Sequence, residues 1–449
     1  MADGLRVIDP HPVWKDMKKA GRSLFRSLGE LRDVQVMAEW VQELDKEEDS
    51  EKQALLSLLA TREQTHKLTA AEAIRSFDLR QWRKWSRELP RRAARVKPGS
   101  LVFKHLALER WTEAYELHRR AMRNRSQVAL HQLRIGIKRF RYIVENFLPQ
   151  QHAAWSADLK ELQDLLGDVH DLDVLWATAI EVNAFGSAES RARWQSIVQA
   201  AREKRVERYR ERMVGSQSLW QIWRADLPEG KQIQAAAKMR IGLWSQFLDP
   251  EPAHARRVAA LAHQLFDGLA KLGLAPSSAN QDLQSVLQAA ALLHDVGRSK
   301  HDKEHEKVSY RMIRGFGPPL GRSSSELHLA AVTARFHRGT FPTMRHKALR
   351  DLALDQKKIA LQLSGILRLA NAFDSESRGR IQKVSVESRD HHLIVQAQGY
   401  RAWSREAEKI AAASYLLELS LRQPIVVKPL LQARPKTPSP SLRKQSPSR

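Results

Sequence analysis

LHQLRIGIKRFRYIVENFL, residues 130–148, contains two overlapping helical patterns. Its apolar residues recur at spacings of three and four: Leu130, Leu133, Ile137, Phe140, Val144 and Phe147. This spacing predicts a helix with one buried face. Shifted by one position, a cationic set follows the same spacing: His131, Arg134, Lys138 and Arg141, with Arg139 beside them. The predicted helix therefore carries a cationic stripe along the border of its core face.

A cationic stripe that borders the core of a helix points into a groove between helices. Regularly spaced cations in such a groove suit a row of phosphates, because Arg binds phosphate oxygens through two N–H groups and Lys acts as a point charge. The alternative is a charged surface that only keeps the helix soluble. Residues 80–141 hold 18 Lys and Arg against 4 Asp and Glu. Like charges at this density repel one another, so we predict a bound anion.

The composition of the whole chain also favours an anionic partner. The 449 residues suffice for two or three domains, and a net charge of +24 favours a polyanionic partner: polyphosphate, nucleic acid or an anionic membrane surface. The absence of cysteine excludes disulfides, thiolate nucleophiles and cysteine-bound zinc, so a metal must be held by His and carboxylate. No apolar run is long enough to span a bilayer and no leader peptide is evident, so we expect a cytoplasmic protein without a membrane partner.

Hydrophobic periodicity predicts a mainly all-α chain. Residues 1 to about 225 read as helices, and the helical period resumes until about 375. Then RIQKVSVESRDHHLIVQAQG, residues 380–399, alternates apolar and polar positions as a β-hairpin does, and a helix and a last strand follow. We expect four segments: a basic helical domain (1–227), a second helical domain (231–376), a small α+β element (377–431) and a disordered basic tail (432–449).

An internal repeat lies in the first region. LGELRDVQVMAEWVQEL, residues 28–44, is echoed by LGDVHDLDVLWATAIEV, residues 166–182, with Asp33 aligned on Asp171. The first copy has Arg32 where the second has His170, and a metal-binding pair would retain its His in both copies. We therefore interpret Asp171 as structural.

These motifs resemble the CHAD domain, a helical module built from two bundle repeats. The resemblance rests on LHQLRIGIKRFRYIVENF and LQDLLGDVHDLDVL and covers about residues 10–225. It implies that inorganic polyphosphate binds in a basic channel, with these matching residues: His131, Arg134, Lys138, Arg139 and Arg141. One departure is that the first copy begins at its second helix, near WKDMKKAGRSLF, either because the true start lies upstream or because this copy is incomplete. This departure bears on half of the expected phosphate contacts and on the closure of the channel.

The second region contains a His-Asp pair inside an apolar helix. His294-Asp295 of LQAAALLHDVG ends that helix, and burial of two polar side chains is costly unless they are paired or coordinated. Helical spacing places His254 on the apolar face of an upstream helix and Asp374 on that of a downstream one. A single core His is usually only hydrogen-bonded, but three helices that each direct such a group inward indicate a metal site. His301-Asp302, in contrast, lies in a charged loop that should face solvent.

This H…HD…D pattern resembles the HD superfamily of metal-dependent phosphohydrolases. Residues 231–430 resemble more closely the C-terminal region of the exopolyphosphatase/guanosine pentaphosphatase family, through HARRVAALAHQLF, AALLHDVGRSK, HEKVSYRMI, ARFHRGTFP and LSGILRLANAFD. The resemblance implies an all-α HD-type domain with a six-residue metal-ligand set: His254, His294, Asp295, His305, His337 and Asp374. In that family, catalysis belongs to N-terminal domains that have no counterpart in this sequence.

The ligand types predict a divalent metal, namely Mn, Mg, Fe or Zn. Such a metal activates water near neutral pH, and neighbouring cations offset phosphoryl charge. The candidate catalytic residues are Asp295, Arg298, Lys300 and Arg338, with Arg335 also nearby in the sequence. The function predicted first is a polyphosphate-binding protein whose HD-type domain cleaves polyphosphate or a phosphorylated nucleotide. The alternatives are a non-enzymatic scaffold at polyphosphate granules, as a monomer or an oligomer, and, third, a nucleic-acid binder, for which base-reading motifs are absent.

Overall fold

The computed structural model describes residues 2–45, 50–278 and 282–430 and divides into two compact units. The described chain is mainly helical with one small C-terminal sheet, which confirms the predicted fold class. Within these ranges no helix is long and apolar enough to cross a membrane. The tail predicted to be disordered, residues 432–449, lies outside the described residues.

Unit 1 comprises Met1–Phe247 and the short segment Pro318–Ser323. Its helices are α1 (Ala2–Ile8), α2 (Val13–Leu44), α3 (Ser50–Arg75), α4 (Leu79–Ala93), α5 (Leu101–Asn124), α6 (Gln127–Phe147), α7 (Pro149–Glu181), α8 (Ala188–Met213), α9 (Leu219–Ala225) and α10 (Gly230–Leu248). Helix α6 is the predicted amphipathic helix. Ser126 caps it by accepting the Ala129 N–H, and its apolar residues Leu133, Ile137 and Phe140 are fully buried.

Two hydrophobic cores hold unit 1 together. The larger one surrounds α6 and includes side chains of α5, α7 and α9, among them Trp220 and Trp223. The smaller one joins the two copies of the sequence repeat: Val34 and Trp40 of α2 pack in the same cluster as Leu172 and other side chains of α7, together with α3 and α8. The echo between residues 28–44 and 166–182 therefore corresponds to two long helices that share one core.

A buried histidine in the larger core makes the stability of unit 1 depend on pH. His118 is 6% exposed and its Nδ1 lies 2.9 Å from the Tyr209 hydroxyl, and burial lowers its pKa to about 4. The unfolded chain binds a proton below pH ~6.5 and the folded one does not, so stability is lost as pH falls from ~6.5 towards ~4. We expect a loss on the order of 1 kcal/mol between pH 7 and pH 5.

Urea unfolding followed by tryptophan fluorescence measures this loss, because the Trp220 ring lies 5.6 Å from the His118 ring. A His118→Gln variant should show a flatter dependence on pH. An equally steep dependence in the variant would assign the effect to other groups.

Unit 2 comprises Leu248–Gly317 and Ser324–Arg449. Its elements are α11 (Pro252–Lys271), α12 (Leu283–Leu293), a 3-10 helix (Val296–Ser299), α13 (His305–Gly315), α14 (Ser324–Arg335), α15 (Lys347–Arg350), α16 (Leu354–Phe373), β1 (Val384–Arg389), β2 (His392–Ala397), α17 (Arg405–Leu421) and β3 (Ile425–Pro429). Helices α11, α12, α14 and α16 pack together, and α16 also packs along α17.

The sheet has the order β1-β2-β3. Strand β2 pairs antiparallel with β1, with Val386 opposite Val395, and parallel with β3, with Leu393 opposite Ile425. Helices α16 and α17 approach closely at Gly365, where a Cβ would lie 2.9 Å from the backbone of Leu417. This approach fixes α16, whose end lies beside the predicted metal ligands.

Candidate metal centre and anion-binding helix

Four chain segments of unit 2 bring the predicted histidines together. His294 follows the last residue of α12, and Asp295 precedes the 3-10 helix. His305 opens α13, His337 follows the end of α14, and His254 lies in the first turn of α11. All five side chains are buried. These positions lie at the beginnings or ends of helices, so polar side chains enter an otherwise apolar interior.

Three imidazoles converge on one carboxylate oxygen. Asp295 Oδ1 lies 3.5 Å from His294 Nε2, 3.0 Å from His305 Nε2 and 3.4 Å from His337 Nε2. Two groups of possible ligand atoms share this carboxylate: His254, His294 and Asp295 in one, and Asp295, His305 and His337 in the other. Asp295 therefore occupies the position of a residue that can bridge two metal sites.

The other ring nitrogen of these three histidines is occupied by the backbone. The Nδ1 atoms of His294, His305 and His337 lie 2.7–2.9 Å from the carbonyl oxygens three residues earlier in the chain. A carbonyl accepts only, so each Nδ1 carries a proton, and the neutral form of each ring turns a lone pair on Nε2 towards the cluster.

Lone pairs that face a carboxylate are balanced either by a proton on one of the rings or by a metal ion bound between them. His294 Nε2, His305 Nε2 and Asp295 Oδ1 are buried and make no hydrogen bond within the described chain. Buried polar atoms without partners are costly, and imidazole together with carboxylate is a donor set that suits first-row divalent metals. The residues present therefore fit a metal ion.

The electrostatics of the cluster agree with this assignment. Burial opposes the charge of Asp295, but the surrounding imidazoles hold its pKa well below the usual range. Burial and the neighbouring His294 lower the pKa of His337 well below its ordinary value, so that ring is neutral. Asp295 in turn raises the pKa of His305 against the effect of its burial, so metal binding there requires that His305 lose its proton.

Asp374, the sixth predicted ligand, is engaged with other groups. Its Oδ2 lies 2.8 Å from His254 Nδ1 and 2.9 Å from Arg257 Nε, and its Oδ1 accepts the Gly379 N–H at 2.8 Å. His254 Nε2 lies 3.0 Å from Oδ1 of Asn371. Asp374 is not in either group of converging ligand atoms.

An open cavity of about 1150 Å³ lies against the histidines that surround Asp295. Asp295, Arg298 and Arg338 line it, as do two lysines that the sequence did not single out, Lys303 and Lys409. Arg338, Lys303 and Lys409 make no hydrogen bond or ion pair within the described residues, so these cations are free to meet an anion.

The other predicted cations of this region have different surroundings. Arg298 is bound to carboxylates, with Nη1 3.4 Å from Asp295 Oδ2 and 3.3 Å from Glu251 Oε2. Lys300 is exposed and is not among the residues that line the cavity, and Arg335 is buried beside Glu306. Asn371 was not predicted as a site residue from the sequence. It lies one helical turn before Asp374 on α16, so helical spacing would have indicated that the two side chains lie on the same face.

Gly297 sets the position of His305. A Cβ at Gly297 would lie 2.3 Å from the carbonyl oxygen of His305 and 2.6 Å from the Ser309 nitrogen. The Gly297 N–H also donates to the Ser309 hydroxyl at 2.9 Å. We expect Gly297→Ala to push α13 away and to weaken metal binding about 10-fold or more, because small displacements of a ligand reduce affinity. Isothermal titration with Zn²⁺ measures this, with Gly315→Ala as a matched control because a Cβ there meets no atom.

In unit 1 the predicted anion-binding residues lie along α6. His131 Nδ1 lies 3.2 Å from His170 Nδ1, and Arg141 donates to Gln163 Oε1 at 3.0 Å. The Lys138 ammonium lies over the Tyr142 ring, and Arg139 is exposed. The stripe thus faces α7 at both of its ends. Arg141 also lies 3.6 Å from Glu145 Oε2, whereas Lys138 and Arg139 form no ion pair with the described residues.

Arg134 lies close to both copies of the repeated aspartate. Burial raises the pKa of Asp171 to about 6, with Asp33 and Asp168 adding to this and Arg134 opposing it. Burial likewise raises the pKa of Asp33, again opposed by Arg134. The Nε atom of Arg134 is buried and has no hydrogen-bond partner in the described ranges. The two repeats therefore bring a pair of carboxylates to one arginine of the stripe.

Two known families match the two parts of the chain. Residues 5–179 match the CHAD domain, and residues 246–417 match the Ppx/GppA phosphatase, domain III. The chain joins a CHAD domain to a Ppx/GppA domain III. Both resemblances seen in the sequence are thereby confirmed. No curated protein matches the chain.

Proposed function

We propose that this protein binds polyphosphate through its CHAD domain and hydrolyses phosphoanhydride or phosphoester bonds in its domain III. The proposal of hydrolysis rests on one observation: the Nε2 atoms of three histidines lie within 3.5 Å of Asp295 Oδ1. A divalent ion held by these atoms balances the carboxylate and satisfies the buried lone pairs. We expect Mn, Fe or Zn, with Mg as a further candidate, because the donors are imidazole and carboxylate.

The residues around the cavity have different roles in the proposed reaction. A bound divalent ion supplies Lewis acidity to a phosphoryl group. Asp295 and the histidines hold that ion, and Arg298 orients Asp295 through its guanidinium. The free cations Lys303, Arg338 and Lys409 bind the anionic groups of the substrate, and they offset the charge that develops in the transition state.

The CHAD domain supplies the polyanion site. His131, Arg134, Lys138, Arg139 and Arg141 form the stripe on α6 that we assign to phosphate oxygens. Arg134 has an unpartnered buried Nε, and a phosphate group satisfies such a donor. We further propose that the protein works in the cytoplasm at polyphosphate granules.

Phosphate release tests the proposal. Full-length protein is incubated with polyphosphate, ppGpp and cyclic dinucleotides in the presence of Mn²⁺ or Mg²⁺, beside a His294→Ala control. Release that depends on metal and on His294 supports catalysis. No release from any of these compounds would contradict it.

A non-enzymatic polyphosphate scaffold is the second candidate. One observation favours it: Asp374, predicted as a metal ligand, is in contact with Arg257 and His254. This function predicts tight polyphosphate binding without turnover. Equal competition by duplex DNA would instead favour a general nucleic-acid binder.

A further inference from the structure

The segment that follows α14 folds around one buried guanidinium. Arg368 of α16 donates through Nη2 to the carbonyl oxygen of Gly339, and its Nη1 lies 3.5 Å from the carbonyl oxygen of Phe336. The Phe341 ring lies against the same guanidinium, with its centroid 4.5 Å from Cζ. Residues 336–341 thus contact Arg368 at their beginning, in their middle and at their end.

Arg368 is a charged residue in a buried stretch of α16. Only 9% of its surface is exposed, and its neighbours Leu367 and Leu369 are fully buried. Burial of a guanidinium is costly unless its N–H groups meet acceptors. Gly339, whose φ of 71° lies in the left-handed region, turns the chain so that its carbonyl meets Nη2. The arginine and the turn therefore stabilise each other.

Two residues of the metal cluster and its cavity lie inside this segment. His337 directs Nε2 towards Asp295, and Arg338 lines the cavity. Both lie between the two carbonyls that Arg368 contacts. Arg368 also borders the cavity, but two of its guanidinium nitrogens are turned towards these carbonyls. Its contacts are those of a group that holds the backbone.

We propose that Arg368 is a positioning residue, which fixes the backbone of His337 and Arg338 and so sets where a metal ligand and a substrate-binding cation lie. This proposal rests on the metal site and the cavity of the proposed function. The planar guanidinium presents several N–H donors in a rigid fork, which suits two carbonyls on one turn. Lysine carries its donors on a single nitrogen at the end of a flexible stem, so it replaces this fork only in part.

Metal affinity in the absence of substrate separates a positioning residue from a phosphate ligand. Loss of a phosphate ligand weakens substrate binding alone, whereas loss of a positioning residue also displaces His337. We expect Arg368→Met to weaken Zn²⁺ binding by about 10-fold to 100-fold, because residues that orient metal ligands have effects of this size. Isothermal titration of the full-length protein measures it. Unchanged Zn²⁺ affinity would overturn the positioning role.

Two further variants of α16 calibrate this loss. Lys358→Met removes a positive charge from an exposed position on the same helix and should bind Zn²⁺ as the wild type does. Arg368→Lys should have an affinity between those of the wild type and Arg368→Met. Full affinity in Arg368→Lys would show that a charge is enough and would contradict a role for the two carbonyl contacts.

Hydrogen exchange tests the same role without a metal ion. The Phe336 N–H donates to the Thr333 carbonyl at 3.3 Å and the His337 N–H to the Ala334 carbonyl at 3.4 Å, so loosening of the segment exposes both to exchange. In full-length protein without added metal, Arg368→Met should speed exchange in residues 336–341 by about 10-fold or more, because hydrogen bonds from a charged donor are strong. Mass spectrometry of proteolytic peptides measures the rate.

The exchange result keeps the two proposals apart. Unchanged exchange overturns this inference even if the wild type binds Zn²⁺. A wild type that binds no Zn²⁺, but whose residues 336–341 loosen in Arg368→Met, would contradict the metal site of the proposed function and still support the contact of Arg368 with the segment.

A second variant keeps Arg368 and changes only an exposed contact. The Phe341 side chain is 39% exposed and its ring lies 5.5 Å from the Tyr415 ring, so Phe341→Ala should leave the core of unit 2 intact. It removes the ring against the guanidinium and should speed exchange in residues 336–340 by about 2-fold to 5-fold. If Arg368→Met does not fold, this variant decides: no rise in exchange would overturn the inference.

Discussion

Asp295→Asn should remove bound metal from domain III and lower phosphate release by at least about 100-fold, the size of effect that even an outer residue of a metal site can reach. The reason is that three imidazole nitrogens converge on one oxygen of this carboxylate. Removal of its charge leaves buried lone pairs without the group that balances a cation. Phosphate release at saturating metal and ion counting on the same samples measure the two losses.

The matched control is Asp267→Asn. Asp267 lies on α11 beside His263 and Gln284, where its half-exposed carboxylate forms an ion pair at 3.4 Å and a hydrogen bond at 2.7 Å. The control should keep metal and activity close to those of the wild type. Full phosphate release by Asp295→Asn would remove domain III from the catalytic proposal.

The double variant Arg134→Ala/Lys138→Ala should weaken polyphosphate binding by about 100-fold or more. Hydrogen bonds to charged groups contribute about 1.5–3 kcal/mol each, and this variant removes two of the cations on the α6 stripe. Each lost phosphate contact should also reduce the dependence of binding on salt by about one unit of the logarithmic slope. Fluorescence anisotropy with labelled polyphosphate at several salt concentrations gives both quantities.

Arg208→Ala/Arg210→Ala removes the same charge from the surface of the same domain. Both arginines are ion-paired with glutamates on α8, so little polyphosphate binding should be lost. Equal losses in the two double variants would assign binding to the general positive charge of the domain and not to the stripe. Thermal unfolding of each variant shows whether the fold persists.

Local sequence patterns were enough to predict the helices, the hairpin and the buried histidines that the fold brings together around Asp295. The three-and-four spacing in residues 130–148 predicted α6 and its buried face, because a helix turns every 3.6 residues whatever surrounds it. Alternation predicted β1 and β2 for the corresponding reason. His294 and Asp295 were conspicuous because two polar residues follow an apolar helix.

The contacts of individual side chains could not be predicted in this way. Lys303 and Lys409 line one cavity although about a hundred residues separate them, and no period in the sequence relates them. The position of Arg134 in the cationic stripe predicts a phosphate ligand, but the packing of α2 and α7 also places it near Asp33 and Asp171.

The difference between what local sequence predicts and what long-range packing decides is clearest at Asp374. Its residue type and its place on α16 were set by the sequence alone, and both predicted a metal ligand. Only the packing of α11 against α16 brought Arg257 within 2.9 Å of it, across 117 residues of chain. Helical periodicity is a local property that determines which face a side chain lies on. The partner that the side chain meets there depends on long-range packing, which no local pattern in the sequence contains.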